Sequence, residues 1–202
     1  MNAGNPPDGA RDRILSALRN RHVEPQPEPT LDGDWIRYAD PLTQFCNSLE
    51  LVGGRAIRVC SNELPARVNS VDVFQEAQRV ANFVPEYGEL AAIWDSQADP
   101  HEAENVDFCL APGLFGVAEN GAIWTPTDQI APRSALFLCQ HLGLVVPAAD
   151  IVDNMHQAYE RIEFGEGGFG VFISGPSKTA DIEQSLVIGA HGPRSLVVFL
   201  TT

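Results

Sequence analysis

From residue 31 onward the chain alternates two patterns that cannot share one backbone conformation. Stretches with apolar residues three and four apart give way to short apolar runs of β-formers bounded by glycine or proline. A strand followed by a helix returns the chain to pair in parallel with the strand before it. Such alternation therefore predicts an α/β sheet with helices on both faces. The first helix is "PLTQFCNSLELVGG", where Leu42, Phe45, Leu49 and Val52 share a face and two glycines stop it. "RAIRVC" reads as a strand, residues 71–83 as a second helix, and "LAAIWD" at 90–95 as a short strand. After the acidic loop "SQADPHEAEN", the run "VDFCLAPGLFGVAENGAIWT" reads as a pair of strands, and "SALFLC" and "LGLVVP" as two more. "AADIVDNMHQAYERI" reads as a helix. "GVFISG" and "SLVVFLT" are the last strands, with "TADIEQSL" as a short helix between them, and no segment repeats internally.

Two parts are expected. Residues 1–30 hold a helix at 11–21, with Ile14, Leu15 and Leu18 on one face among arginines, and then the Pro-rich "EPQPEPT", a stiff linker. That helix either docks a partner or packs on its own domain or another protomer. Residues 31–202 form one α/β domain, a size that 44% hydrophobic residues can supply with a core.

A formal net charge of -14, with only 13 Lys and Arg, argues against nucleic acid or an anionic membrane as partner. No apolar run reaches the roughly 18 to 20 residues of a membrane span, and the first residues do not resemble a signal peptide, so a soluble, cytoplasmic protein is expected. Cys46, Cys60, Cys109 and Cys139 sit in apolar surroundings without a CxxC or a Cys/His cluster of metal spacing. They are expected to be free thiols, with no metal or iron–sulfur site in the chain.

Three stretches carry candidate chemistry. In "ISGPSKTADIE", a strand end, the turn at Gly175 and Pro176, and the residues Ser174, Ser177, Lys178 and Thr179 gather hydroxyls, a cation and backbone N–H groups ahead of the expected helix. That is a site for a small carboxylate or phosphate. Serine and threonine also cap helices, and Asp181 in the first turn can pair with Lys178, so plain capping stays open. "GAHGP" sets His191 between glycines and "CQHLG" sets His141 between two strands. Each is an acid, a base or a carboxylate partner, or simply a turn residue. The Gly-rich "FGEGGFG" at 164–170 does not open a helix after a strand and fails as a dinucleotide fingerprint. In "FGVAENGAIW" the acidic Glu119 stands between apolar runs. "ENG" suits a hairpin tip, so Glu119 is a solvated turn residue, a carboxylate held by donors from the 174–179 loop, or a nucleophile.

"VAENG" at 117–121, "SGPSKTADIEQSLVIGAHGP" at 174–193, "LVVFL" near the end, and the helix with Phe45, Leu49, Glu50, Gly53 and Gly54 together resemble the lactate-utilisation protein C family (LutC/YkgG, the LUD domain). Lys178 departs from the family's usual arginine, and Asn120 from its usual threonine. The resemblance implies a three-layer α/β/α fold similar to the NagB/RpiA/CoA-transferase group. It also implies a role in oxidising L-lactate to pyruvate with two iron–sulfur partner proteins. The missing cysteine motifs fit that division of labour, because a two-electron donor needs a redox centre and this chain encodes no recognisable one.

The expectation is thus a cofactor-free component of an L-lactate oxidising complex rather than a self-sufficient oxidoreductase. Glu119 and His191 are its candidate catalytic residues. Ser174, Gly175, Ser177, Lys178, Thr179, Asp181 and His141 are the candidate ligands of a small carboxylate. In the related CoA transferases a Glu before Asn-Gly is the nucleophile of an acyl-glutamyl intermediate. An acyl-transfer or ligase-type enzyme built on Glu119 is therefore one alternative, and a ligand-sensing scaffold is another.

Overall fold

The computed structural model describes residues 9–21, 24, 26–27, 29–95, 99–128, 130–163, 168–182 and 185–202. The chain divides into a unit of residues 1–33 and a unit of residues 34–202. In the first, α1 (Ala10–Arg19) has no buried residue, and Ile14 and Leu18 are exposed.

The second unit comprises α2 (Pro41–Leu51), β1 (Arg55–Val59), α3 (Leu64–Asn69), α4 (Asp72–Gln75), β2 (Val80–Asn82) and β3 (Phe108–Pro112). These are followed by β4 (Phe115–Val117), β5 (Ala122–Pro126), α5 (Ala135–Leu138), β6 (His141–Pro147), β7 (Ile151–Val152) and α6 (Met155–Arg161). Last come β8 (Gly170–Ile173), β9 (Lys178–Ile182), β10 (Ser185–Ile188) and β11 (Ser195–Thr201).

Its centre is β11, which has no polar face. Leu196, Val198 and Leu200 enter one core cluster and Val197 and Phe199 enter another, so both faces of the strand are covered. β11 lies between β1 and β6 in a five-stranded sheet of order β1-β11-β6-β3-β2, every pair parallel. On one face Leu64, Val68, Val71 and Phe74 of the α3–α4 segment pack on Ile57, Phe108, Leu110 and Phe199. On the other, Phe45 and Leu49 of α2 and Leu136 of α5 pack on Cys109, Leu142, Leu144 and Val198.

That second face is shared with a smaller sheet, β7-β4-β5-β8. Along β5 the alternation is direct: Ile123 joins the central core, whereas Ala122 and Trp124 turn outward to Ala158 of α6. The second unit is a three-layer α/β arrangement, the α/β class that the alternating pattern predicts and the layering that the resemblance implies.

Five local expectations are corrected. The helix expected at 71–83 stops after Gln75, because the Asp107 carboxylate takes the backbone N–H groups of Gln78 and Arg79, both at 2.9 Å, and steers the chain into β2. "LAAIWD" makes a single bridge, Ile93 to Asn82, rather than a strand. "SALFLC" is the short helix α5, and the run from 106 to 125 holds three strands rather than two. "TADIEQSL" is not a helix. Its described part forms the antiparallel hairpin β9–β10, with Lys178 opposite Ile188 and Thr179 opposite Val187. Most of the expected 164–170 loop lies outside the described residues.

Candidate ligand site

Because β9 replaces the expected helix, Ser177 to Thr179 do not present a helix N-terminus, and the dipole argument for an anion there is lost. What the motif builds instead is a junction at the C-terminal end of α2. That helix starts at Asp40, whose carboxylate accepts the Thr43 backbone N–H at 3.0 Å. The Thr43 hydroxyl, which donates to the same carboxylate at 2.6 Å, and after it this backbone bond hold the Asp40 pKa below the ordinary carboxylate value. The helix ends at Val52 and Gly53, the latter at φ +85°.

Gly175, at φ +76°, brings the 174–177 loop so close that a Cβ there would stand 2.4 Å from the Val52 carbonyl oxygen. Lys178 donates its ammonium to that same oxygen, a cation at the negative end of the helix. The "ENG" turn reaches the helix from another direction. Ser48 Oγ donates to the Ala118 carbonyl at 2.7 Å, and a Cβ on Gly121 would lie 2.6 Å from the Leu49 nitrogen. Ser174 Oγ donates to the Asn120 carbonyl at 2.8 Å and closes the triangle. The α2 helix, the "ENG" turn and the "SGPSK" loop therefore hold one another.

Glu119 sits at the exposed tip of the β4–β5 turn, outside the linings of the cavities of about 230, 370 and 200 Å³. Its Oε2 accepts the Met155 backbone N–H at 3.0 Å, beside the Asn154 cap that accepts from Gln157. The donor that holds the carboxylate is thus the first turn of α6, not the 174–179 loop.

A cavity of about 230 Å³ does form on the other side of that loop. Ser174, Gly175, Pro176 and Ser177 make one wall, and His191, Gly192 and Pro193 make another. Leu136, Phe137, Leu142 and Phe172 supply apolar surface. The walls are tied together: the Ser177 backbone N–H donates to the Pro193 carbonyl, and Gly189 N–H to the Ser177 carbonyl, both at 2.9 Å. Four expected site residues, Ser174, Gly175, Ser177 and His191, meet there. Glu119, Lys178, Thr179 and His141 do not line it, and the side chain of Asp181 lies outside the described residues.

His141 opens β6 and lines a second, polar cavity of about 370 Å³ with Glu76, Asp107, Gln140 and Arg194. Its Nδ1 is 2.8 Å from Ser195 Oγ. Burial, and after it the Arg194 charge, pushes the imidazole pKa below the ordinary 6.5, although Asp107 and Glu76 pull the other way. Sequence reasoning found His141 but missed its neighbours. The signal is that parallel strands bring together the residues just ahead of each strand. Asp107, Gln140 and Arg194 each hold that position, before β3, β6 and β11.

Among the described residues no group of three or more His, Cys, Asp or Glu side chains is placed to hold a metal ion, and no helix is long and apolar enough to cross a membrane. The four cysteines are free.

A parallel five-stranded sheet flanked by a small mixed sheet, with the 174–193 segment walling a cavity beside it, defines a class that comparison identifies. The family model of the LUD domain matches residues 67–201, and the chain belongs to that family. An uncharacterized protein of Neisseria meningitidis serogroup B is 27% identical over 94% of this chain and 92% of its own. Lactate utilization protein C of Oceanobacillus iheyensis is 26% identical over 85% of this chain and 82% of its own. That of Shouchella clausii is 34% identical over 50% of this chain and 48% of its own. The solved structure of a DUF162 family protein from Deinococcus radiodurans shares the fold, with a TM-score of 0.61, 21% identity, and coverage of 81% of this chain and 98% of that one.

Proposed function

We propose that this chain is a cytoplasmic component of an L-lactate utilisation system, in which iron–sulfur partner proteins carry the electrons and this chain holds the organic acid. The observation that carries the reading is the convergence of Ser174, Ser177 and His191 on one small, partly apolar cavity. The names of the relatives supply the acid.

The chemistry suits a 2-hydroxy acid. Ser177 Oγ and the exposed His191 imidazole are donors for a carboxylate. Ser174 has spent its proton on Asn120, so its oxygen is left to accept, as the 2-hydroxyl of lactate requires. Leu142 and Phe172 face the methyl end.

The test is deletion of the gene followed by growth on L-lactate, with anaerobic affinity purification of the tagged protein from lactate-grown cells. Loss of growth, restored by the intact gene, and co-elution of two iron-containing proteins are expected. Undiminished growth on lactate without this chain overturns the reading. The acyl-transfer alternative needs the Glu119 carboxylate to face a substrate, and its bond to Met155 N–H favours no such step.

A further inference from the structure

The polar cavity around His141 is separate from the one assigned to the organic acid, and the sheet dictates its construction. β11, β6 and β3 are neighbours in parallel register, with Ser195, His141 and Phe108 level with one another. One residue earlier in each strand, Arg194, Gln140 and Asp107 form a row, with Arg194 N–H bonded to the Gln140 carbonyl at 2.8 Å. Adjacent strands lie about 4.8 Å apart, so Arg194 and Asp107 start from backbones roughly 10 Å apart, with Gln140 between them.

Glu76, just after α4, adds a second carboxylate to the same cavity. Among the described residues no ion pair joins Arg194 to Asp107 or Glu76, although all three line one space. Asp107 Oδ2 is occupied by two backbone N–H groups, which fixes the carboxylate and leaves Oδ1 without a described partner. His141 Nδ1 is engaged by Ser195, leaving Nε2 as the ring's remaining polar atom.

Opposite charges held apart across a cavity select by sign. A simple anion meets two carboxylates, and a simple cation meets a guanidinium. A neutral guest makes no use of the three charges, since Glu76 and Arg194 are exposed and stay solvated by water. A guest carrying both signs a few ångströms apart satisfies them together. We infer that this cavity binds a free α-amino acid, its carboxylate on Arg194 and its ammonium on Glu76 and Asp107, with Gln140 and His141 between them. A volume of about 370 Å³ accommodates a small metabolite, since ligand pockets run from about 300 to 1,000 Å³. The inference does not rest on the lactate reading.

The experiment is a titration of the full chain with each of the common L-amino acids, read by backbone amide chemical shifts. At least one amino acid is expected to give saturable shifts at the amides of Asp107, Gln140, His141 and Arg194. Its deaminated acid and its decarboxylated amine are expected to bind at least about tenfold more weakly, the loss of one charge-assisted contact. Arg194→Gln and Glu76→Gln should weaken binding similarly, while His191→Ala, in the other cavity, leaves it unchanged. If either variant fails to fold, the two analogues on the unaltered chain still decide. No saturable shift at those amides, an analogue that binds as well as the amino acid, or abolition by His191→Ala overturns the inference.

Discussion

The Glu119 carboxylate accepts the Met155 backbone N–H at 3.0 Å, joining the tip of the β4–β5 turn to the first turn of α6. The connection is reinforced by the Glu119 N–H, which donates to the Asp153 carbonyl at 3.0 Å. An acidic residue between two apolar strands is thus explained by an orphan helix N–H that needs an acceptor.

Glu119→Ala is expected to lower the unfolding free energy by about 1 kcal/mol, the usual cost of losing such an acceptor. Glu119→Gln keeps an amide oxygen in place and should lose less than half of that. Urea midpoints of the two variants check the order. Equal stability of both with the parent would mean that the contact does not matter in solution.

Gly175→Ala should destabilise by about 2 kcal/mol or more, because a left-handed backbone and a methyl group against the Val52 carbonyl act together. Gly53→Ala is the control. It too has positive φ, but its methyl would meet nothing closer than 3.5 Å, so about 1 kcal/mol is expected. Equilibrium unfolding of the pair separates backbone strain from collision.

His191 is exposed, so His191→Ala should leave the melting temperature within error while weakening pyruvate or lactate binding about tenfold. Calorimetric titration reads the affinity and growth on lactate reads the consequence. Unchanged affinity would move the organic acid elsewhere.

His141 predicts a pH dependence. Its folded-state pKa lies below the ordinary 6.5, so between those two values the unfolded chain binds the extra proton. The stabilisation is fully present above about pH 6.5 and is lost as pH falls through the folded value. Denaturation at about pH 7 and about pH 5 should show the intact chain losing more stability on acidification than His141→Asn.

Legibility followed the range of the determining contacts. α2, β6 and β11 were readable because their own residues set their burial: Phe45 and Leu49 one turn apart, and Leu196 to Leu200 alternating between two covered faces. "SALFLC" was not, since a short apolar run fits a strand or a helix turn equally well. In the structure Ala135 and Leu136 are buried while Phe137 and Leu138 are exposed. "TADIEQSL" carries capping residues that favour a helix, but its hydrogen bonds go to the partner strand of a hairpin.

The same holds for the sites. Ser174, Ser177 and His191 could be named from their turns, but the apolar wall from Phe137 and Phe172 comes from elements that the sequence does not connect. Met155 as the partner of Glu119, and Arg194 and Asp107 as neighbours of His141, are products of strand order. No local pattern encodes them.

β1 pairs along its length with β11, and among the described residues no other strand borders it. Among the described strands β1 is the first to leave the ribosome during vectorial synthesis and β11 is the last. Until β11 emerges, then, the β1 edge has no neighbour and β6 lacks one of its two. The nascent chain cannot complete its sheet piece by piece from the amino end, and its pairing is governed by contacts distant in sequence, which form slowly. Over that interval the unpaired apolar edge is open to a chaperone or to a neighbouring chain.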